Sequence, residues 1–327
     1  VNRIVSALLR ERETGLIALI VLLTLAAAAR DPSFLSPQNW TDLLVNAAPV
    51  LVLACGMMPV IVTGEIDISI GSLTGLLAGL LGVMASTTQL GWNPWLASGI
   101  ILVAGTLIGL GTGALVTVGR VPSIIATLGL LTALRGVMIW VMRGNQIGDF
   151  PGAIRWWGTG TILGLPTLPC IAAVVAAATG WLMVRTALGR HLFALGSNPP
   201  AARLAGLSER RLKLFVFAWC GLLTSVATLM LVGKLGVVDA SVGRGYELLV
   251  VTCAVVGGVS IRGGRGRLRG VALAVLLMVM IKTVLIFLKL GDEATKWERA
   301  IQGGFILLAV ALDHLAERRA SRNGGPA

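Results

Sequence analysis

The chain has 327 residues, 56% hydrophobic and 13% charged, with a net charge of +12 and a mean hydropathy of +0.87. Soluble domains carry about 25% charged residues, and one globular core cannot hide so much apolar surface. A helical bundle in a bilayer can, so a water-soluble enzyme or binding module is excluded. The basic balance has no runs interleaved with aromatics, which argues against nucleic acid as a partner. It fits membrane lipid and the positive bias of cytoplasmic loops instead.

Taken in chain order, Arg3, Arg10 and Arg12 precede an apolar run over 15–29. That arrangement imitates a secretory signal, but the number of apolar runs that follow favours a retained first helix. Those runs fall at 43–63, 68–88, 95–118, 123–142, 168–184, 212–232, 248–261, 270–289 and 299–313. At about 20 residues per span, the expectation is an all-α polytopic membrane bundle of about ten helices forming one domain over 1–327. Alternating the spans from a cytoplasmic N-terminus puts the clusters Arg185–Lys213, Arg262–Arg269 and Arg318–Arg322 on one side, with the C-terminus. Positive loops mark the cytoplasmic face. Trp40, Trp92, Trp95, Trp140, Trp156, Trp157 and Trp297 then fall near outer ends, where an indole meets the headgroups.

Gly71, Gly75 and Gly79, and again Gly105, Gly109 and Gly113, recur every four residues. Each set makes a smooth helix face, for packing inside the bundle or for a dimer contact. Cys55, Cys170, Cys220 and Cys253 sit in or beside apolar runs, with no C-x-x-C pair, and read as small buried hydrophobes.

Three segments break the apolar pattern. Thr63-Gly64-Glu65-Ile66-Asp67-Ile68-Ser69-Ile70-Gly71-Ser72 places two carboxylates between two apolar runs. Charge in hydrocarbon is costly, so a broken helix lining a translocation path is one reading, with Ser69 capping the restarted helix. A short cytoplasmic turn with solvated acids is the other. From Leu188 to Lys213, Pro199 and Pro200 open an alanine-rich stretch closed by Gly206, which predicts a stubby helix on the cytoplasmic face. It either docks a partner or is a basic loop that only sets orientation. Gly257 to Gly270 is glycine-rich and basic, but no G-K-[ST] closes it, so it is no Walker A loop and reads as a flexible turn. The only histidines are His191 and His314. No H-E-x-x-H, G-x-S-x-G or Cys/His cluster is present, so no catalytic or metal residues are proposed.

At these segments the chain resembles the permease family of ribose-type carbohydrate ATP-binding-cassette importers, in the branched-chain amino acid and ribose permease superfamily. Thr63 to Ser72 is similar to T-G-G-I-D-L-S-V-G-S. Gly196 to Leu207, G-S-N-P-P-A-A-R-L-A-G-L, is similar to G-x-N-x-x-A-A-R-x-x-G-I. Glu247 to Gly266 and the run from Trp297 through Gly303, Gly304, Ala309, Val310 and Asp313 complete the resemblance along the chain. It implies a permease subunit in the bacterial inner membrane, moving a small sugar by alternating access. It also implies a cytoplasmic subunit that binds the ATP, a second permease copy or paralogue, and a periplasmic sugar-binding protein. Asn198, Ala201, Ala202, Arg203 and Gly206 are then the ATPase-coupling segment. For the path, Glu65, Asp67, Ser69, Ser72, Asn46 and Trp140 are candidates, with Thr74 and Asn145.

Glu65 departs from the family's glycine. It is a mark of substrate preference or a partner of Arg135 or Lys282. The Trp156-Trp157 loop and Arg135-Gly136 resemble permeases for rhamnose-like sugars or furanosyl signals. A self-contained secondary transporter is the alternative; it would need no ATPase and would bring an inverted repeat, which is not evident in the sequence.

Overall fold

The computed structural model describes residues 12–287 and scattered positions from 297 to 307. In chain order its helices are α1 (Arg12–Arg30), α2 (Pro37–Val62), α3 (Ile70–Ala85), α4 (Pro94–Thr117), α5 (Ser123–Met142), α6 (Gly152–Thr159), α7 (Thr167–Arg185), α8 (Ala187–Ser197), α9 (Pro199–Leu204), α10 (Glu209–Leu235), α11 (Tyr246–Val256) and α12 (Leu268–Phe287). A 3-10 turn at Pro32–Leu35 links α1 to α2, and a small antiparallel pair, β1 (Thr161–Ile162) with β2 (Leu165–Pro166), precedes α7.

Seven of these helices are long and apolar enough to cross a membrane; α3 and α11 are apolar but shorter. Every expected span up to residue 289 coincides with a helix, with shifted ends. The tenth, 299–313, lies for the most part outside the described residues. The all-α bundle is therefore the fold.

Burial separates centre from rim. Of the most apolar window of α2, 83% is buried, and 72% of that of α10, against 17% for α5 and 11% for α1. A bilayer leaves such rim helices facing lipid rather than protein. α2 keeps Pro49 and Pro59 inside its helical run. Neither can donate a backbone hydrogen bond, and tight surroundings hold the helix through both.

The glycine stripes resolve as intrabundle packing. A β-carbon on Gly109 would overlap the Phe217 carbonyl, and one on Gly105 would meet the Gly221 carbonyl at 2.8 Å. α4 and α10 thus lie backbone to backbone. The stripe of Gly71, Gly75 and Gly79 faces Met138, Met142 and Arg135 of α5, together with the chain at 242–247. Cys55, Cys220 and Cys253 are buried, as expected of small hydrophobes.

Two stretches outside the expected apolar runs also contain helices. α6 lies within 143–160, and α8 within 185–211. α8 begins where Thr186 Oγ1 accepts the Gly189 N–H at 3.1 Å, and it buries Leu192 and Leu195. Arg190 and His191 interrupt that apolar period in the sequence, yet both are exposed on the opposite face of the helix. The 257–267 turn, expected to be flexible, is tied down. The Gly264 N–H donates to the Val62 carbonyl at 2.8 Å, and the Ser197 hydroxyl donates to the Gly264 carbonyl at 3.3 Å.

Candidate functional site

α3 has 16 residues and α11 has 11. At about 1.5 Å per residue neither covers a hydrocarbon core of about 30 Å. Non-helical chain covers the remaining depth, before α3 and again before α11. Both stretches are built on one pattern, G-x-[IV]-D-x-S-[IV]-G: Gly64-Glu65-Ile66-Asp67-Ile68-Ser69-Ile70-Gly71 and Gly236-Val237-Val238-Asp239-Ala240-Ser241-Val242-Gly243. The repeat escaped the sequence reading; its signal was the shared spacing of Gly, Asp, Ser and Gly.

The pattern folds the same way twice. α2 and α10 each end before a left-handed glycine, Gly64 at φ 82° and Gly236 at φ 72°, a conformation glycine adopts without steric cost. In the first copy, Asp67 Oδ1 accepts the Ser69 N–H at 2.9 Å and the Ser69 hydroxyl at 2.6 Å. In the second, Asp239 Oδ1 accepts the Ser241 N–H at 2.7 Å and its hydroxyl at 2.6 Å. Ser69 therefore does not cap α3 with its side chain, contrary to expectation. It stands at the N-cap position, but its hydroxyl is drawn to Asp67.

The closing glycines of the two copies touch. A β-carbon on Gly71 would overlap the Glu247 carboxylate and lie 2.5 Å from the Gly243 carbonyl; one on Gly243 would overlap the Gly71 carbonyl. From this contact α3 runs to the face where Ser86 donates to the Gly148 carbonyl at 2.6 Å. α11 runs the other way, to the basic turn at 257–267. Two helix N-termini thus meet, and the partial positive charge of both favours a carboxylate there. Glu247 supplies it. Its Oε1 accepts the Gly245 N–H at 3.1 Å, while its Oε2 is buried with no hydrogen-bond partner among the described residues.

α5 holds both breaks. Ser123 Oγ accepts the Ile66 N–H at 3.3 Å, and the Thr127 hydroxyl lies 3.4 Å from the Ile66 carbonyl. Two turns further on, Arg135 donates to the carbonyls of Ala240 at 3.2 Å and Val242 at 2.8 Å. Arg135 is thereby occupied with the second break and does not pair with Glu65. Lys282 is exposed on α12 and does not pair with Glu65 either. The partner of Glu65 is Lys213 on α10, at 2.6 Å.

On the basic face, α9 forms as its sequence predicts. Asn198 Oδ1 accepts the Ala201 N–H at 3.0 Å, Pro199 opens the first turn, and Gly206 turns the chain at φ 81°. Asn198, Ala201, Arg203 and Gly206 are exposed, whereas Ala202 is buried against the bundle. Leu204 is 91% exposed. Arg203 Nε lies 2.9 Å from Glu209 Oε2, and Glu209 Oε1 lies 2.6 Å from Lys213 Nζ. With Lys213–Glu65, four charges of alternating sign run from α9 to the first break.

The structure brings Glu65, Asp67, Ser69 and Ser72 together on that break; Asp67, Ser69 and Ser72 are buried. The Thr74 hydroxyl is taken up by the Ile70 carbonyl at 2.9 Å. Asn46 lies elsewhere, on an exposed stripe of α2 with Gln38 and Asp42, where it accepts from Lys234. Trp140 is 80% exposed on α5. Asn145 is exposed in the turn beyond it.

Residues 39–310 match the family described as branched-chain amino acid transport system / permease component. The ribose import permease protein RbsC of Escherichia coli (strain K12) is 34% identical over 306 residues, 92% of this chain and 93% of that protein. RbsC of Haemophilus influenzae (strain ATCC 51907 / DSM 11121 / KW20 / Rd) is 31% identical over the same shares. The autoinducer 2 import system permease protein LsrC of Shigella flexneri is 30% identical over 299 residues, 91% of this chain and 85% of that one. No solved structure matches the chain. With a bundle of apolar helices, a match along most of its length and relatives above 30% identity, the chain belongs to the family of permease components of the branched-chain amino acid transport system type.

Proposed function

We propose that this chain is the permease subunit of an ATP-driven importer for a small sugar or sugar-like solute of the ribose, rhamnose or furanosyl-signal type, in the bacterial inner membrane. The named relatives are import permeases for ribose and for autoinducer 2, which supports that solute class. The chain brings no ATPase and needs no cofactor of its own. A cytoplasmic subunit binds the ATP, a second permease copy or paralogue completes the path, and a periplasmic binding protein delivers the solute.

One observation carries this reading: a short, well-capped helix, α9, projects from the basic face with Leu204 almost wholly exposed. A capped helix whose Ala201, Arg203, Leu204 and Ala205 are all exposed while Ala202 seats it on the bundle fits a surface that another protein covers. The coupling segment Asn198–Gly206 is therefore assigned to ATPase docking, with Arg203 and Leu204 as contacts and Ala202 as the residue that seats α9 on the bundle. Alternating access then requires that the docked ATPase favour one arrangement of the two breaks over the other. Glu65, Asp67, Ser69 and Ser72 would border the path on the basic side. Asn46 would line its opposite mouth, and Trp140 the bilayer interface.

The test is co-purification of the chain with its ATPase, wild type against Arg203→Glu, followed by solute-stimulated ATP hydrolysis. The complex is expected to form and to weaken in the variant. Transport by the wild-type chain alone in liposomes, without any ATPase, would overturn the importer reading in favour of a secondary transporter.

A further inference from the structure

The charges between α9 and the first break form one connected row, and their exposure is graded. Side-chain exposure is 62% at Arg203, 29% at Glu209, 15% at Lys213 and 13% at Glu65. The row begins on the surface and ends at the interior break. Lys213 holds two carboxylates at the same distance, 2.6 Å, one on its own helix and one on the break. Its ammonium is thus divided between them.

We propose that Glu65 is a positioning residue that couples the docking segment to the first break through Lys213. The inference rests on the docking assignment of α9. The physical argument is competition for one cation. While Arg203 neutralises Glu209, Lys213 is free to hold Glu65, and the 63–69 chain stays drawn against α10. When a partner's carboxylate takes Arg203, Glu209 loses its outer cation and draws Lys213 towards itself. The pair with Glu65 weakens, and the break is released. Exposed ion pairs contribute little, but Lys213 and Glu65 are shielded enough for their pair to bias two arrangements. A neutral residue at position 65 would leave Lys213 with Glu209 alone and remove the link.

The experiment uses the reconstituted complex of this chain with its ATPase and binding protein, and reads solute transported per ATP hydrolysed. Glu65→Gln is expected to lower that ratio roughly fivefold while the complex still assembles. Lys213→Gln should do the same, and the double variant should be no worse than either alone, since both remove one link. An unchanged ratio in both single variants would overturn the proposal, and so would additive losses in the double variant. Assembly of the Arg203→Glu complex is scored separately. Loss of assembly there with an unchanged ratio in Glu65→Gln means that docking stands and the link fails. Intact assembly with Arg203→Glu means that the docking assignment itself is wrong.

Discussion

The two breaks share one turn and differ in almost everything around it. Before α3, Asp67 is 3% exposed, the Ile66 backbone is held by two hydroxyls of α5, and Glu65 is paired with Lys213. Before α11, Asp239 is half-buried, Val237 is 45% exposed, and a guanidinium holds the backbone. There Val238 also pairs with Ile147 as an antiparallel bridge. The Asp-x-Ser turn satisfies its own donors in both places, so it can stand in a sealed setting or an open one. Local pattern sets the shape of the break; neighbours decide whether water reaches it. The break on the basic side is the more buried of the two.

Breaking the contact between the copies should have the largest effect. Gly243→Ala places a β-carbon on the Gly71 carbonyl at φ 76°, so steric and left-handed costs add; a loss of about 3 kcal/mol is expected. Gly245→Ala, at φ 89° with open space around it, should cost only about 1 kcal/mol. Thermal unfolding in detergent checks both, and equal losses would mean that close approach is not what fixes Gly243. Next is the turn itself. Asp67→Ala leaves a buried N–H and hydroxyl without their acceptor, at about 2 kcal/mol, and Asp239→Ala less than about 1 kcal/mol because water replaces the carboxylate. The same unfolding assay should rank them in that order.

Arg135→Lys keeps the charge but loses the rigid planar guanidinium, whose Nη1 bonds both carbonyls. A cysteine at position 241 should then react several-fold faster with a water-soluble thiol reagent, while one at position 69 should not change. The smallest effect is that of Asp239→Asn, whose side-chain oxygen still accepts; hydrogen exchange at Ser241 should stay within about threefold of wild type.

Much of this architecture was legible in the residues. Apolar length marked the helices, and the proline, alanine and glycine order of 199–206 marked α9 with its ends. Basic clusters at 185–213 and 262–269 gathered on one face, as alternation of spans required. What escaped were relations between distant residues. Glu65 was read as a partner of Arg135 or Lys282, and only the fold brings Lys213 to it instead. The repeated octapeptide was present in the sequence, but the second copy carries Val237 where the first has Glu65, and a single acid does not advertise a break. Glu247 entered only as the first residue of the Glu247–Gly266 resemblance. Its importance follows from Gly71, whose missing side chain is the space the carboxylate occupies. α8 was hidden because its charges and leucines share one short stretch.

The placement of α5 has a consequence for how the halves move. Ser123 and Thr127 grip one break, Arg135 grips the other, and the helix between them is continuous from Ser123 to Met142. A continuous α-helix barely changes length, so its two grips keep their separation. Tilting it would carry one grip towards its break and the other away. Both breaks are thus tied to one strut, and a tilt of α5 would be felt at the two together.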